Sequence, residues 1–559
     1  PVSITEVRPG IFVYDMGQNF AGWAQLTVSG PSGAEVTMRY SENITTDGKI
    51  DRSNIAECGV RGGDIQTDRY ILKGEETEVW EPRFTYHGFR YVEITGFPGI
   101  PMLDSLRGRV VRSAFESAGN FACSNELLNS IQKCTLWSYE SNFMGIPTDC
   151  PHREKNGWTG DAMLACETGL FNFAAESAYA KWMTDFADEQ RPSGQLPGIV
   201  PTGGWGYNWG SGPAWDSAYT HIPWYMYLYS GDIRILETHY SGMKRYVNYM
   251  SSMATDNILY FGLGDWCPPQ PRTNKNIPPA ALTSTGYYYA NCRILAQAAE
   301  LLGHPEDMEL YSELARQIKD SFNAKFYNPE NGRYADGGQA AQACALFHEL
   351  VEPEEQEKVL ASLKEAIAEK DNHPWFGILG AKYVPNVLAD EGYADLALTM
   401  LTQTTYPSWG YWIEQGATTL WENWEGDTSR NHIMFGDVSA WMYKTLAGIT
   451  PDTSSPGFRH FAIRPRVLRG LDWVEAEHKS MYGPIRSGWH IAEDSILFDI
   501  EVPVNTSATL YLPAKDPQTM MEGGCPVAES EGIQVAGMED GYVILSAGSG
   551  VYQLTVRII

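Results

Sequence analysis

Residues 148–162 read TDCPHREKNGWTGDA. Asp149, Glu154 and Asp161 fall within thirteen positions, with His152, Arg153, Lys155 and Trp158 among them. Pro151 and Gly157 interrupt any continuous helix, so the stretch is predicted to be an irregular loop. On both sides of it the periodicity is helical. Upstream, Leu127, Leu128, Ile131, Cys134 and Leu136 recur at helical spacing behind Ser124, which reads as an N-cap. Downstream, helical patterns follow around 162–172, 174–190, 214–229, 233–253, 282–302, 307–325, 338–351, 354–368, 390–403 and 434–447. The loop is therefore a connection inside a long run of helices. Helix following helix in pairs points to a closed barrel of helical hairpins. A helical solenoid is the structural rival, but it should repeat more regularly.

The sequence on either side of this run is different. Up to about residue 115, apolar residues alternate, as Val36, Met38 and Tyr40 do in AEVTMRY, and turn-rich stretches such as GPSGA and GFPGIP separate the runs. That is the signature of antiparallel strands, with a β-sandwich as the natural architecture. From Thr450 onward the alternation returns, with Ile496, Phe498, Ile500 and Val502, then Leu510 and Leu512, and the chain closes on YQLTVRII. The expected organisation is a β-sandwich over 1–115, an (α/α)6 six-hairpin barrel over 116–449 and an all-β sandwich unit over 450–559.

Composition limits the function classes. The chain has 559 residues, of which 43% are hydrophobic and 20% charged, a globular balance that excludes a mainly disordered chain. The 41 Lys and Arg against 69 Asp and Glu leave a formal charge of -28, which disfavours nucleic acid and anionic membrane surfaces as partners. No window approaches the ~20 apolar residues of a membrane span. Nine cysteines, an odd number with no C-x-x-C pair, indicate neither a disulfide framework nor a thiolate metal site; most read as small core residues. The compartment, cytoplasmic or exported, is left open, as is the oligomeric state.

A loop dense in carboxylates and aromatics is either a solvated, salt-bridged surface loop or a binding loop. Carboxylates held together raise one another's pKa, which keeps one of them protonated as a general acid. A partner carboxylate must then come from elsewhere. The segment 406–441, YPSWGYWIEQGATTLWENWEGDTSRNHIMFGDVSAW, offers Glu414, Glu422, Glu425 and Asp427, interleaved with Trp409, Trp412, Trp421, Trp424 and Trp441, and followed by His432. Two further Trp-rich loops are PTGGWGYNWGSGPAWDSAY (201–219) and GLGDWCPPQP (262–271). Indole faces suit the apolar faces of sugar rings, and carboxylates bond sugar hydroxyls. Each such loop alone is more often core packing; together they lean toward a carbohydrate cleft. P-loop, HExxH and G-x-S-x-G motifs are missing from the sequence.

At these motifs the chain resembles the bacterial α-L-rhamnosidases, glycoside hydrolase family 78. DCPHREKNGWTGD, GDW, GATTLWENW and NHIMFG are similar to that family's signatures, as are YDMGQNFAGWAQLTVSG and FTYHGFRYVEITG in the first β block and GITPDTSSPGF at the start of the third. The resemblance spans essentially the whole chain. It implies the barrel flanked by β domains, and hydrolysis of terminal α-L-rhamnosides with inversion, without metal or cofactor. Carried over residue by residue, it implies Glu154 as general acid and Glu422 as general base, with Glu425 in reserve. It also implies a sugar site built from Asp149, Arg153, Trp158, Asp161, Trp215, Trp266 and His432. The family usually has a further N-terminal β domain, so this chain is expected to start inside a longer product.

Two other functions fit the same residues. One is an inverting glycosidase on this scaffold with a different sugar preference. The other is a carbohydrate-binding relative without activity, against which the intact set Asp149, Glu154, Asp161 and Glu422 argues.

Overall fold

A computed structural model describes residues 1–58, 65–272 and 277–557. Its first unit is a seven-stranded antiparallel sheet that doubles over on one long strand, Ile11–Val28. The first half of that strand pairs with Ser3–Arg8 and His87–Thr95; the second half pairs with Glu78–Trp80 and Leu106–Val110. A register break between Asp15 and Phe20 lets the strand serve two layers. Tyr14, Phe20, Val36, Met38, Tyr40, Phe89 and Val92 fill the space between them. The alternation read around Val36 and Tyr40 is the strand Glu35–Ser41.

The helices follow in order: α1 (Glu126–Ser141), α2 (Thr159–Leu164), α3 (Cys166–Asn172), α4 (Glu176–Glu189), α5 (Pro213–Asp216), α6 (Ala218–Ser230), α7 (Arg234–Met253) and α8 (Ala280–Leu301). Then come α9 (Pro305–Phe326), α10 (Gln339–Phe347), α11 (Gln356–Ala368), α12 (Ile378–Asp390), α13 (Ala394–Leu401), α14 (Trp409–Glu414) and α15 (Asp437–Trp441). Six of them form a closed inner ring: α3 packs on α6, α6 on α8, α8 on α10, α10 on α12, α12 on α15, and α15 returns to α3. The return contact decides against a solenoid. Outside the ring, α4 and α7 lie on α6, α9 on α8, α11 on α10 and α13 on α12.

The closing seam carries buried charge. Lys382 of α12 places its ammonium 2.8 Å from Glu167 of α3 and 2.5 Å from Asp437 of α15. Lys444 adds a contact of 3.2 Å to Glu167. Removing one partner would leave a charge uncompensated in the core, so the set specifies which helices meet there.

The sequence reading of the elements differs from the structure at several points, among them the following. Asn125, not Ser124, caps α1: its side chain accepts the Leu127 and Leu128 N–H groups at 3.0 and 3.2 Å. Ser124 Oγ accepts the Asp472 N–H at 2.7 Å instead. Helix α12 was not expected, because every residue from Ile378 to Ala389 is buried and no polar face marks its period. Finally, Gly119–Cys123 is not part of the helical unit: it pairs with Trp473–Ser480 as the edge strand of a C-terminal sheet.

The C-terminal unit stacks that seven-stranded sheet with a five-stranded one containing Ile449–Pro451, His460–Ile463 and Ser507–Pro513. Ile496, Phe498, Ile500, Leu510 and Leu512 point inward as the alternation required. This core is continuous with that of the barrel. Trp489 donates its indole N–H to Leu446 O at 2.9 Å across the join. Of the cysteines, seven described ones are buried and Cys525 is exposed; the Cys58 side chain lies outside the described residues. Among the described residues no helix is long and apolar enough to cross a membrane.

Candidate active site

The loops leading into the inner helices converge on a cavity of about 260 Å³. Asp149, Arg153, Glu154, Trp158, Asp161, Trp215, Trp266, Glu422 and His432 all line it. The general acid, the general base and the seven sugar-site residues that the resemblance implies are thus brought to one place. The volume sits near the lower end of ligand pockets, ~300–1,000 Å³, and suits one small ring. A larger hollow of about 680 Å³ lies beside the N-terminal sandwich. Asp104 is the one carboxylate among its lining residues, so it offers no acid–base pair.

The loop 148–158 is held from within. Asp149 accepts the Asn156 N–H at 2.8 Å and the Cys150 thiol at 2.9 Å. The Trp158 indole donates to Glu154 Oε2 at 2.8 Å. Asp161 is not on the loop, as expected, but in the first turn of α2. Its neighbour Gly160 is there because the Trp215 indole lies flat on its backbone; a Cβ would come within 2.7 Å of Trp215 Nε1. Trp266 is fixed from the next position: Asp265 accepts the Gly377, Leu379 and Gly380 N–H groups, at 2.7, 2.8 and 3.2 Å, and caps α12.

Glu422 arrives on a tight loop rather than a helix. Its N–H donates to Ser429 O at 2.9 Å, and its Oε2 accepts the Ser429 N–H at 3.0 Å. Trp409, Trp412, Trp424 and Phe435 stack beneath this loop with ring centroids 4.7–6.4 Å apart. These tryptophans, with Trp421 and Trp441, are buried and do not line the cavity, so they are its foundation rather than sugar platforms. Glu425 is turned away, accepting the Tyr406 hydroxyl and, at 3.0 Å, the Gln270 N–H. It is not within reach as a reserve base. Glu414 and Asp427 are exposed.

Arg153 stands between the two central carboxylates. Its Nη2 is 2.5 Å from Glu422 Oε2 and 3.9 Å from Glu154 Oε1. Burial raises the pKa of Glu422, but the charges of His432 and Arg153 and the Ser429 N–H outweigh it and hold the group below its ordinary value. Burial pushes His432 down to about 4, so at neutral pH the imidazole is uncharged and Arg153 is the cation that keeps Glu422 ionised. Asp161 moves the other way. Burial, then the Glu422 and Glu154 charges, push it up to about 8. Asp149 is raised as well, by burial and by Glu154.

Asp161 Oδ1 and His432 Nδ1 are among the buried polar atoms of the lining residues that have no hydrogen-bond partner among the described residues. Buried polar atoms are nearly always satisfied, so atoms left open beside a cavity await a ligand. Leu263, Met434, Trp215 and Trp266 supply apolar surface to the same cavity.

The sequence reading missed one contribution. Glu42, on the N-terminal sandwich, is buried against the barrel and accepts the Arg430 N–H at 2.9 Å. Asn19 and Asn54 donate to it at 3.1 and 3.2 Å. Asn54 also donates to Thr428 O at 3.0 Å, and its own carbonyl accepts Arg153 Nη1 at 3.3 Å. No local pattern marks these residues, since their partners lie hundreds of positions away.

Comparison with known proteins agrees with this layout. The bacterial alpha-L-rhamnosidase 6 hairpin glycosidase domain matches residues 116–446. The concanavalin-like and C-terminal domains of the same proteins match 5–112 and 448–525. The chain belongs to the bacterial α-L-rhamnosidase family. Among α-L-rhamnosidase relatives, one from Streptomyces avermitilis is 34% identical over 99% of this chain and 52% of its own length. One from Formosa agariphila is 32% identical over 98% of this chain and 60% of its own. The chain therefore spans little more than half of the curated rhamnosidases it matches. In three dimensions, the α-L-rhamnosidase from Dictyoglumus thermophilum superposes with a TM-score of 0.93 at 39% identity, over 100% of this chain and 63% of that one. The Streptomyces avermitilis enzyme, solved in complex with L-rhamnose, gives 0.92 at 32%, over 99% and 53%.

Proposed function

We propose that this rhamnosidase chain hydrolyses terminal α-L-rhamnosides with inversion, Glu154 acting as general acid and Glu422 as general base. The observation that carries the assignment is Arg153 Nη2, set between the two carboxylates at 2.5 Å from Glu422 and 3.9 Å from Glu154. It keeps one member ionised and ready to take a proton. The other member, Glu154, accepts the Trp158 indole N–H at 2.8 Å and lies farther from the same guanidinium nitrogen. Glu154 gives its proton to the glycosidic oxygen as the C1–O bond breaks. Water on the opposite face attacks C1 and passes its proton to the Glu422 carboxylate. The leaving group departs as the neutral alcohol, and the sugar appears as the β-anomer.

L-Rhamnose is a 6-deoxy sugar. Its methyl group fits the apolar surface of Leu263, Met434 and the indoles. Its hydroxyls find Asp149, Asp161 and His432, two of which offer unpartnered atoms. The test is hydrolysis of p-nitrophenyl α-L-rhamnoside followed by proton NMR, beside a panel of other p-nitrophenyl glycosides. β-Rhamnose as the first product is the expected outcome. Initial α-rhamnose would overturn the inverting assignment, and release from another glycoside alone would overturn the sugar preference.

A further inference from the structure

Two large indoles stand in solvent at the rim of the cavity, and the residues assigned to the sugar do not account for them. Trp205 is 41% exposed and Trp209 is 52% exposed. They stack on each other with centroids 5.4 Å apart and an interplanar angle of 27°. Trp209 also meets Trp158 edge-on at 5.4 Å. The three indoles thus form a continuous surface. It begins at Trp158, 8% exposed and hydrogen-bonded to Glu154, and continues through Trp209 to Trp205. Apolar surface of this kind on a soluble protein is normally kept for binding.

The loop that carries these indoles is built to hold them outward. Between them, Tyr207 turns inward: its hydroxyl donates to Glu189 O at 2.6 Å, and Arg191 covers its ring at 3.8 Å. At the loop's base, Val200 N–H donates to Gly157 O at 2.8 Å and Thr159 N–H to Gly198 O at 3.0 Å. This ties the loop to the segment bearing Glu154. At its other end Gly210 takes a left-handed φ of +74°, and a Cβ there would meet the Trp158 ring at 2.6 Å. Ordered anchoring on both sides of two exposed indoles is not the behaviour of a spare surface loop.

Chemistry fixes which side of the bond they serve. The general acid must reach the glycosidic oxygen, so the leaving group lies on the Glu154 side of the cavity. Trp158 touches Glu154, Trp209 lines the cavity edge-on to Trp158, and Trp205 stacks on Trp209 beyond the lining residues. We infer that Trp205 and Trp209 form a subsite for the leaving group, selecting aglycones that present a flat ring face, either an aromatic ring or the apolar face of a pyranose. The inference rests on the rhamnosidase reading of the pocket.

The experiment compares three substrates differing only in leaving group: 2-naphthyl α-L-rhamnoside, an α-L-rhamnosyl-(1→4)-glucopyranoside and methyl α-L-rhamnoside. Each is assayed with the wild type, Trp205→Ala and the Trp205→Ala/Trp209→Ala pair, and free L-rhamnose binding is measured by calorimetry. The expected result is a selective fall in kcat/KM, carried by KM. The preference for the ring-bearing substrate over the methyl glycoside should drop about five- to tenfold in the double variant. Loss with the naphthyl substrate alone names an aromatic aglycone, and loss with the disaccharide alone names a sugar. An unchanged preference ratio, or an equal fall on all three substrates, overturns the subsite. A wild type that neither binds L-rhamnose nor cleaves any of the three instead overturns the rhamnosidase reading beneath it.

Discussion

Glu42, a carboxylate of the N-terminal sandwich, accepts the backbone N–H of Arg430 at 2.9 Å in the loop that carries Glu422. With Asn19 and Asn54 it fastens residues 428–430 from outside the barrel. Glu42→Ala would leave several buried donors unsatisfied, at about 1–3 kcal/mol each. The expected outcome is a Tm lowered by several degrees, together with a kcat reduced about tenfold as the Glu422 loop loosens. Calorimetry and steady-state kinetics check it together. A lowered Tm with full kcat would make the sandwich a passive neighbour of the site.

The central pair is tested by substitution. Glu154→Gln should lose about 10²–10⁴-fold in kcat on alkyl rhamnosides, which need protonation of the leaving oxygen, and much less on p-nitrophenyl rhamnoside. Glu422→Ala should lose heavily on both, because the attacking water must give up its proton whichever leaving group departs. Glu154→Gln retaining full rate on an alkyl rhamnoside removes Glu154 from the acid role.

Arg153 sets the protonation state of Glu422. Removing the cation in Arg153→Met takes away one of the groups that offset burial, and the Glu422 pKa rises. The base works only when ionised, so the acid limb of the pH–rate profile moves to higher pH. His432 cannot compensate, because burial holds it near 4 and uncharged in that range. A pH profile of kcat/KM with an unmoved acid limb would assign the tuning to the Ser429 N–H instead.

Asp161 makes a prediction about stability. Its pKa in the folded protein is about 8 against an ordinary 3.8, so between those values the folded state keeps a proton that the unfolded chain releases. Its contribution is fully present below about pH 4 and is lost as pH rises through 8. Asp161→Asn should remove that part of the pH dependence. Thermal unfolding of both proteins from pH 4 to pH 9 should show the Tm difference between the Asp161→Asn variant and the wild type widening in favour of the variant as pH rises. Parallel Tm curves would mean that Asp161 titrates normally.

The sequence announced the site more fully than the scaffold. Residues 148–162 and 406–441 are dense in chemistry-bearing side chains, and the cavity collects the predicted ones from both. Within those segments, residue type alone did not separate lining from foundation. Trp158 lines the cavity, whereas Trp412 and Trp424 stack beneath it, and the difference lies in the tertiary position of each loop. Helix α12 escaped because burial on every side erases the amphipathic period. Glu42 escaped because a lone carboxylate at the end of a strand looks like any solvated one until the barrel covers it.

The strand Gly119–Cys123 has a consequence for how the protein is made. A ribosome delivers this strand before α1, but its pairing partner, Trp473–Ser480, emerges only after α15. Helix α3 likewise waits for α15 before the ring can close. The nascent chain must therefore carry an open-edged strand and an open helical ring until those later partners emerge. A chain cut after Gly448 would strand both the edge of Gly119–Cys123 and the floor under Leu446. The C-terminal sheets are thus the piece whose arrival locks the catalytic barrel.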